Sequence, residues 1–291
     1  MKTLSHYRKV LSQHEDPARF VLGRVLVRTH LCTFFTINCG LYRLHFAPSV
    51  YTLNYWLKPN VRDWAEHEFL LACLRPGDTV VDVGANQGMM ALTAAWAVGS
   101  TGKVFALEPH PITFARLQKN LQVNGATNVS ATNVAVGSSE GTTMFSDGRD
   151  DSGNSVTPDG PLKVPVRTLD HLLAGGGQQI ALLKIDVEGY EKFVLEGAAQ
   201  TLVRTACVYF EAHDPMYRTH GYTCGDVVAM LHRAGFHVYR WLPGNVCMSE
   251  VDEAYQTSAV PENLLAVRDI ESFLHRAGNR YRLSAGVPSY S

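Results

Sequence analysis

From about Trp64 onward, apolar residues follow two spacings in turn. Short apolar runs such as 80–83 and 180–187 are typical of strands that are buried on both faces of a sheet. Longer segments between the runs, for example 111–125, have apolar residues every three or four positions, which is the spacing of a helix with one buried face. Because strands and helices alternate, the sequence predicts an α/β fold with a doubly wound, Rossmann-like sheet.

The same pattern divides the chain into three parts. Residues 1–60 are irregular and predict an N-terminal extension that caps the main domain or covers its substrate. Residues 61–270 carry the regular alternation, and residues 271–291 predict a tail that begins as a helix. Within the main part, residues 138–160 are rich in Ser, Gly and Asp, which favours a hairpin followed by a mobile loop.

Composition narrows the choice of partner and location. The formal net charge is -1, so the chain as a whole offers no electrostatic reason to bind nucleic acid. The six cysteines form no CxxC pair and are therefore expected to be reduced thiols. No apolar run approaches the roughly 18 residues of a membrane span. We expect a cytoplasmic protein without a nucleic-acid or membrane partner, whose oligomeric state the sequence does not determine.

The first candidate site is the glycine-rich turn DVGANQG at residues 82–88, between a predicted strand and a predicted helix. A dinucleotide fingerprint requires glycine at the first, third and sixth positions of this turn. Those positions hold Gly84, Asn86 and Met89, so only the first fits. An acid, Asp82, closes the strand, and a carboxylate suits a ligand that carries an ammonium group. S-adenosylmethionine is such a ligand and contains no phosphate.

Three strand ends then supply the expected contacts to S-adenosylmethionine. Backbone amides between Ala85 and Gly88 would bind its carboxylate, Asp82 would hold its amino group, and Glu108 would accept hydrogen bonds from its ribose hydroxyls. The end of the third strand would border the adenine. The predicted cofactor-binding residues are Asp82, Gly84, Ala85, Asn86, Gly88, Glu108, Asn133 and Ala135.

Several motifs in a fixed order carry a resemblance to a known family. They are DVGANQG, GKVFALEPHP, NVAVGSSEG, VPVRTLD, LLKIDVEGYEKFVLEGA and YFEAH. From about Trp64 to Arg268, the chain resembles the FkbM family of S-adenosylmethionine-dependent methyltransferases. The resemblance implies a sheet of seven mostly parallel strands with an antiparallel last strand. It also implies O-methylation of a hydroxyl group on a small metabolite or sugar.

The catalytic candidates lie where two further strands end. Asp186 and Glu188 follow the fourth strand, and His213 follows the fifth, beside Glu211. A carboxylate or imidazole at this edge can orient the acceptor hydroxyl or take its proton. The acids would also suit a divalent cation, although the predicted site includes no metal. Glu191, on the helix that follows, is expected to be solvated.

Two other functions remain open from the residues alone. A non-catalytic S-adenosylmethionine-binding protein would keep the glycine turn and Glu108 but would not need the acids at 186, 188 and 211. A nicotinamide-dependent oxidoreductase is less favoured, because Asn86 and Met89 occupy positions at which its fingerprint requires small residues. The principal hypothesis is an S-adenosylmethionine-dependent O-methyltransferase of a small hydroxylated molecule.

Overall fold

A computed structural model of the chain describes residues 16–148, 153–241 and 246–284. Its strands, in chain order, are β1 (Thr36–Asn38), β2 (Arg43–His45), β3 (Thr79–Val83), β4 (Lys103–Leu107), β5 (Val129–Thr132), β6 (Ala135–Val136), β7 (Gly141–Phe145), β8 (Leu162–Arg167), β9 (Leu182–Ile185), β10 (Cys207–Ala212), β11 (His237–Trp241), β12 (Cys247–Glu250), β13 (Glu262–Val267) and β14 (Arg282–Leu283).

The helices lie between these strands. In chain order they are α1 (Pro17–Arg28), α2 (Val50–Leu57), α3 (Ala65–Cys73), α4 (Met89–Val98), α5 (Pro111–Asn124), α6 (Leu169–Leu172), α7 (Glu191–Glu196), α8 (Ala199–Val203), α9 (Asp214–Thr219), α10 (Cys224–Arg233) and α11 (Ile270–Arg276). Among the described helices, none is long and apolar enough to cross a lipid bilayer.

The central sheet has the strand order β14-β12-β11-β13-β10-β9-β3-β4-β5. Strands β3, β4, β5, β9 and β10 are parallel, and β13 runs antiparallel to both of its neighbours. The predicted seven-stranded arrangement with an antiparallel last strand is therefore confirmed. Two short strands that the sequence pattern did not indicate, β12 and β14, extend the sheet beyond β11.

Helices cover the central sheet on both faces. Alternation along β3 sends Val81 and Val83 into a core with α6, α7, α8 and α10. Val80 enters the opposite core, which contains side chains of α3, α4, α5 and α11. The part of the chain predicted as a tail contributes to this second core through Phe273 and Tyr281. Burial on both faces explains why the central strands are almost entirely apolar.

A small second sheet, in the order β6-β8-β7, follows β5. The sequence pattern predicts a third strand over residues 128–137, but β5 ends at Thr132 and Ala135 begins a separate strand. The chain turns at Asn133, whose amide donates to the carbonyls of Glu108 and Pro109 over 2.7 and 2.9 Å. Part of the predicted mobile loop, residues 149–152, lies outside the described residues.

The N-terminal extension packs on the main domain. Its hairpin β1–β2 and its helix α2 form a hydrophobic cluster that includes Leu44, Phe46 and Tyr55. Met89 and Leu92 of α4 complete this cluster, so the extension covers the helix that follows the glycine turn. The first 15 residues of the predicted extension and residues 285–291 of the predicted tail lie outside the described residues.

Candidate active site

A cavity of about 260 Å³ opens at the carboxyl ends of β3, β4, β9 and β10. It lies where the strand order changes direction, between β3 and β9, which is the usual ligand position in a doubly wound sheet. Its wall includes residues of the glycine turn, of the turn after β4, of the acidic segment after β9 and of the small sheet. The predicted site residues among them are Gly84, Ala85, Asn86, Glu108, Ala135, Asp186 and Glu188.

Gly84 allows two strand ends to meet in the cavity wall. Its φ is +76°, which favours glycine, and a Cβ atom there would lie 1.8 Å from the carbonyl oxygen of Asp186. Asn86 also has positive φ, at 49°. Gly88 has φ +89°, but an added Cβ would meet Leu117 at 2.3 Å. Gly88 thus permits contact between α4 and α5, and it is not among the lining residues.

The sequence predicts that the backbone amides of the glycine turn bind the carboxylate of the ligand, but in the structure these amides are not available. All five amides from Gly84 to Gly88 donate hydrogen bonds inside the protein, over distances of 2.7–3.0 Å. The acceptors are the carbonyls of Leu107 and Ala85 and the side chains of Asn86 and Glu108. The turn is thus tied to the end of β4, and its amides fix the cavity wall.

Glu108 has the best defined geometry of the predicted residues. Its Oε2 accepts the Asn86 amide at 2.9 Å, and its Oε1 accepts the His110 amide at 2.8 Å. The side chain lines the cavity although the residue is only 6% exposed. Burial raises the pKa of Glu108 to about 7, and the two amides partly oppose that shift. Each carboxylate oxygen retains a lone pair for a ligand hydroxyl.

Asp82 lies below the cavity and not in its wall. It is 1% exposed, and its Oδ1 lies 3.1 Å from Nζ of Lys184. The same Nζ lies 3.2 Å from Oδ2 of Asp186 and 3.5 Å from the Gly84 carbonyl oxygen. Burial alone lowers the pKa of Lys184, but the carboxylates of Asp186 and Asp82 outweigh it and raise the pKa above its usual value. The lysine therefore holds the ends of β3 and β9 together.

Three acids meet at the rim of the cavity. Carboxylate oxygens of Asp186, Glu188 and Glu211 all lie within 4.8 Å of one another. Glu188 has a φ of 54°, a conformation that non-glycine residues rarely adopt. Burial raises the pKa of Glu211 to about 9, and the charges of Asp186 and Glu188 add to the shift. Burial and these neighbouring charges therefore favour the neutral form of Glu211, and the side chain lines the cavity.

Glu191 corrects the expectation of a solvated helix residue. It is 1% exposed, and its Oε1 accepts the amides of Val187 and Gly189 at 3.0 and 3.4 Å. Burial raises its pKa to about 8. A carboxylate at the first position of a helix can turn back and bind the preceding loop. Glu191 thereby fixes the segment that carries Asp186 and Glu188.

Besides Asp82 and Gly88, two further predicted residues lie outside the described wall of the cavity. His213 directs Nε2 to the carbonyl oxygen of Ala259 at 3.2 Å, which links the end of β10 to the segment before β13. Asn133 supports the turn after β4 from behind through its amide. Both residues thus stabilise segments next to the cavity but do not line it.

Other lining residues carried no catalytic signal in the sequence. Tyr51 reaches the wall from α2 in the N-terminal extension, and burial raises its pKa to about 12. Phe145 and Asn154 come from the small sheet and the segment after it, and His110 follows Glu108 directly. The place of His110 between two prolines, directly after a strand, indicates a position near the ligand but no catalytic role, whereas Tyr51 and Phe145 lie in segments whose position depends on packing.

The sequence model of the Methyltransferase FkbM domain matches residues 82–238, more than half of the chain. The chain belongs to the FkbM methyltransferase family. The matched region begins with the glycine turn and contains Glu108 and all three acids of the rim. The matched region therefore includes all of the described cavity wall except Tyr51.

Three relatives illustrate the range of the family. The chain is 33% identical over 201 residues to 31-O-demethyl-FK506 methyltransferase FkbM of Streptomyces tacrolimicus, covering 57% of this chain and 75% of that protein. It is 31% identical to hexuronic acid methyltransferase AglP of Haloferax volcanii, covering 47% of this chain and 56% of the relative. It is 28% identical to 2-O-methyltransferase NoeI of Sinorhizobium fredii, covering 48% of this chain and 65% of the relative. The last two matches thus span less than two thirds of each relative.

Proposed function

We propose that the chain is an S-adenosylmethionine-dependent O-methyltransferase that acts on a hydroxyl group of a small metabolite or sugar. The observation that carries the proposal is the Glu108 carboxylate, oriented by two amides in the wall of the same cavity that holds the three acids. Transfer of a methyl group from S-adenosylmethionine to a hydroxyl requires a group that binds the ribose diol of the cofactor and a nearby group that accepts the proton of the hydroxyl. The cavity combines both. Membership of the FkbM family supports the same activity.

The residues of the cavity fit S-adenosylmethionine. Glu108 would accept hydrogen bonds from the ribose hydroxyls, while Ala135 and Phe145 offer apolar surface for the adenine. When bound, S-adenosylmethionine supplies an electrophilic methyl group on a sulfonium. The turn amides are already hydrogen-bonded, so we assign no ligand carboxylate to them.

The acid rim would handle the acceptor hydroxyl. Asp186 or Glu188 would hold this hydroxyl and take its proton as the new C–O bond forms. Glu211, whose neutral form burial favours, would donate a hydrogen bond to the acceptor. Neighbouring carboxyl groups with different environments commonly divide acid and base roles in this way. Tyr51 would then bring the N-terminal extension into contact with the acceptor.

The names of the relatives bear on the acceptor class, and the cysteines bear on the location. The names of two relatives specify an oxygen as the site of modification, and the third names a hexuronic acid. These names support a small hydroxylated acceptor rather than nucleic acid. All six cysteines are free thiols, and five of them are buried. Free thiols support a reducing, cytoplasmic location.

The decisive experiment combines binding with product detection. Titration calorimetry should show binding of S-adenosylmethionine and S-adenosylhomocysteine but not of NAD. Incubation with pooled hydroxylated metabolites should release S-adenosylhomocysteine and give an acceptor that is heavier by one methyl group. Binding without any methylated product would favour the non-catalytic alternative. Activity that a chelator removes and Mg²⁺ restores would assign a cation to the three acids.

A further inference from the structure

The outer surface of the N-terminal extension is unusually apolar. Thirteen large apolar side chains are exposed in the described part of the chain, and six of them fall within residues 21–35. Phe34 is 82% exposed. A concentration of this kind marks an interaction site more often than scattered exposed residues do. We call these six side chains the extension face: Val21, Leu22, Val25, Leu31, Phe34 and Phe35.

The same segment is strongly basic. Residues 17–62 contain six Lys and Arg residues and none of the 27 Asp and Glu residues of the chain. The formal charge of -1 for the whole chain conceals this local excess of +6. In the described structure, no carboxylate forms an ion pair with any of the six. Arg24 and Arg28 are exposed on α1 beside the extension face.

The geometry of α1 separates a buried side from an exposed apolar side. Phe20 and Gly23 face the protein, and a Cβ at Gly23 would lie 2.6 Å from the ring of Trp56. Val21 and Val25, four residues apart, share the opposite side of the helix and are each about half exposed. The buried side alone therefore attaches α1 to the domain. The exposed side is left with apolar and basic residues together.

We propose that the extension face docks on a lipid membrane surface that carries anionic headgroups. A helix with basic residues beside exposed aliphatic and aromatic side chains is suited to the boundary between headgroups and acyl chains. A second copy of the chain fits less well, because it would bring two segments of +6 charge together. Nucleic acid would satisfy the arginines but would leave the aliphatic side chains without an apolar partner.

The extension connects this surface to the cavity. Val50 is 57% exposed, and the next residue, Tyr51, lines the cavity wall. Docking through the extension would therefore hold the cavity close to the membrane. An acceptor with an apolar anchor would then be presented from the lipid surface. The docking itself does not depend on the proposed methyl transfer and can be tested without an acceptor.

The test is co-sedimentation of the full-length protein with phosphatidylcholine vesicles, with and without phosphatidylglycerol. We expect binding to the anionic vesicles that weakens as salt concentration rises. Phe34→Ser should weaken binding about tenfold through lost apolar burial. The double variant Arg24→Glu/Arg28→Glu should weaken it by about fivefold or more for each charge removed. Matched controls are Val203→Ser, at a side chain that is 77% exposed on α8, and Lys103→Glu/Lys163→Glu.

The controls should bind like the wild type. Absence of binding to anionic vesicles, or equal binding by all variants, would overturn the proposal. So would a dimer in light scattering that Phe34→Ser dissociates while vesicles remain unbound, since the face would then be a contact between copies. Binding to an RNA homopolymer that depends on the arginines but not on Phe34, without vesicle binding, would also overturn it.

Discussion

The cofactor side and the acceptor side of the cavity are built in opposite ways. On the cofactor side, Glu108 receives two backbone hydrogen bonds, and all amides of the glycine turn are used inside the protein. On the acceptor side, one oxygen from each of three carboxyl groups lies within 4.8 Å of the other two, and Lys184 lies at ion-pair distance from one of them, Asp186.

The contrast separates binding from chemistry. Hydrogen bonds that orient a carboxylate make a precise site for a ligand that every turnover uses. Crowded like charges cost stability but shift the pKa of a neighbour, which is how proteins place an acid and a base side by side. The cofactor side should therefore tolerate little change in shape. The acceptor side should gain stability and lose activity when its charges are removed.

The largest expected effect is on turnover. Asp186→Asn keeps the shape of the side chain but removes the charge, so it should lower kcat by about 10²–10⁴-fold if Asp186 takes the acceptor proton. Calorimetry with S-adenosylhomocysteine should show nearly unchanged affinity. A large loss of affinity would instead assign Asp186 to the ammonium group and move it to the cofactor side. Full turnover in both Asp186→Asn and Glu188→Gln would remove the catalytic assignment.

The next effect concerns the cofactor. Glu108→Ala should weaken binding of S-adenosylmethionine by about 1.5–3 kcal/mol, because charge-assisted hydrogen bonds to the ribose are lost. Glu140→Ala is the matched control, since Glu140 also accepts a backbone amide, from Thr168, but lies away from the cavity. Unchanged affinity in the Glu108 variant, measured by calorimetry, would contradict the cofactor assignment.

A smaller effect, of opposite sign, is expected for stability. The folded-state pKa of Glu211 is about 9, well above its unfolded value, so the carboxyl group favours the fold while it is neutral. This contribution is present below about pH 4.5 and is lost as pH rises to about 9. Glu211→Gln should therefore raise Tm at pH 9 by about 2–6 °C while it lowers activity. Glu271→Gln, at an exposed residue of α11, should leave Tm unchanged.

The smallest effect is expected for His213. Its ring contacts the carbonyl of Ala259 and does not border the cavity, so His213→Ala should lower kcat by less than about tenfold. A loss as large as that of Asp186→Asn would show that the imidazole reaches the acceptor.

Some residues of the site were predictable because local sequence encodes them. A strand that ends in Gly84 before a helix, and a second strand that ends in Glu108, place both residues at the same edge of a parallel sheet. Lys184 and Asp186 are two residues apart at the end of β9, so alternation places them on the same face, and their charged atoms are 3.2 Å apart. In each case, spacing along one short segment determines the position.

Other residues depended on contacts between distant segments. Asp82 was expected at the ligand, but Lys184 draws it into the interior, and Glu191 turns back to the loop before its helix. Tyr51 enters the cavity only because its segment packs on α4, some 40 residues further along the chain. The spacing of apolar residues along the chain does not predict such a contact, because the contact depends on the shapes of two surfaces that form separately.

By itself, the sequence determined the alternation of strands and helices, the doubly wound sheet, the glycine turn and the acids at the strand ends. These features follow from periods of two and 3.6 residues and from the backbone freedom of glycine, which are properties of short segments. Only the tertiary structure decided which acids meet at the rim of the cavity and whether the amides of the glycine turn are available to a ligand. It also decided which side chains of the extension are exposed. Those outcomes depend on burial and on charge–charge distances between segments far apart in the chain, which exist only after the chain has packed.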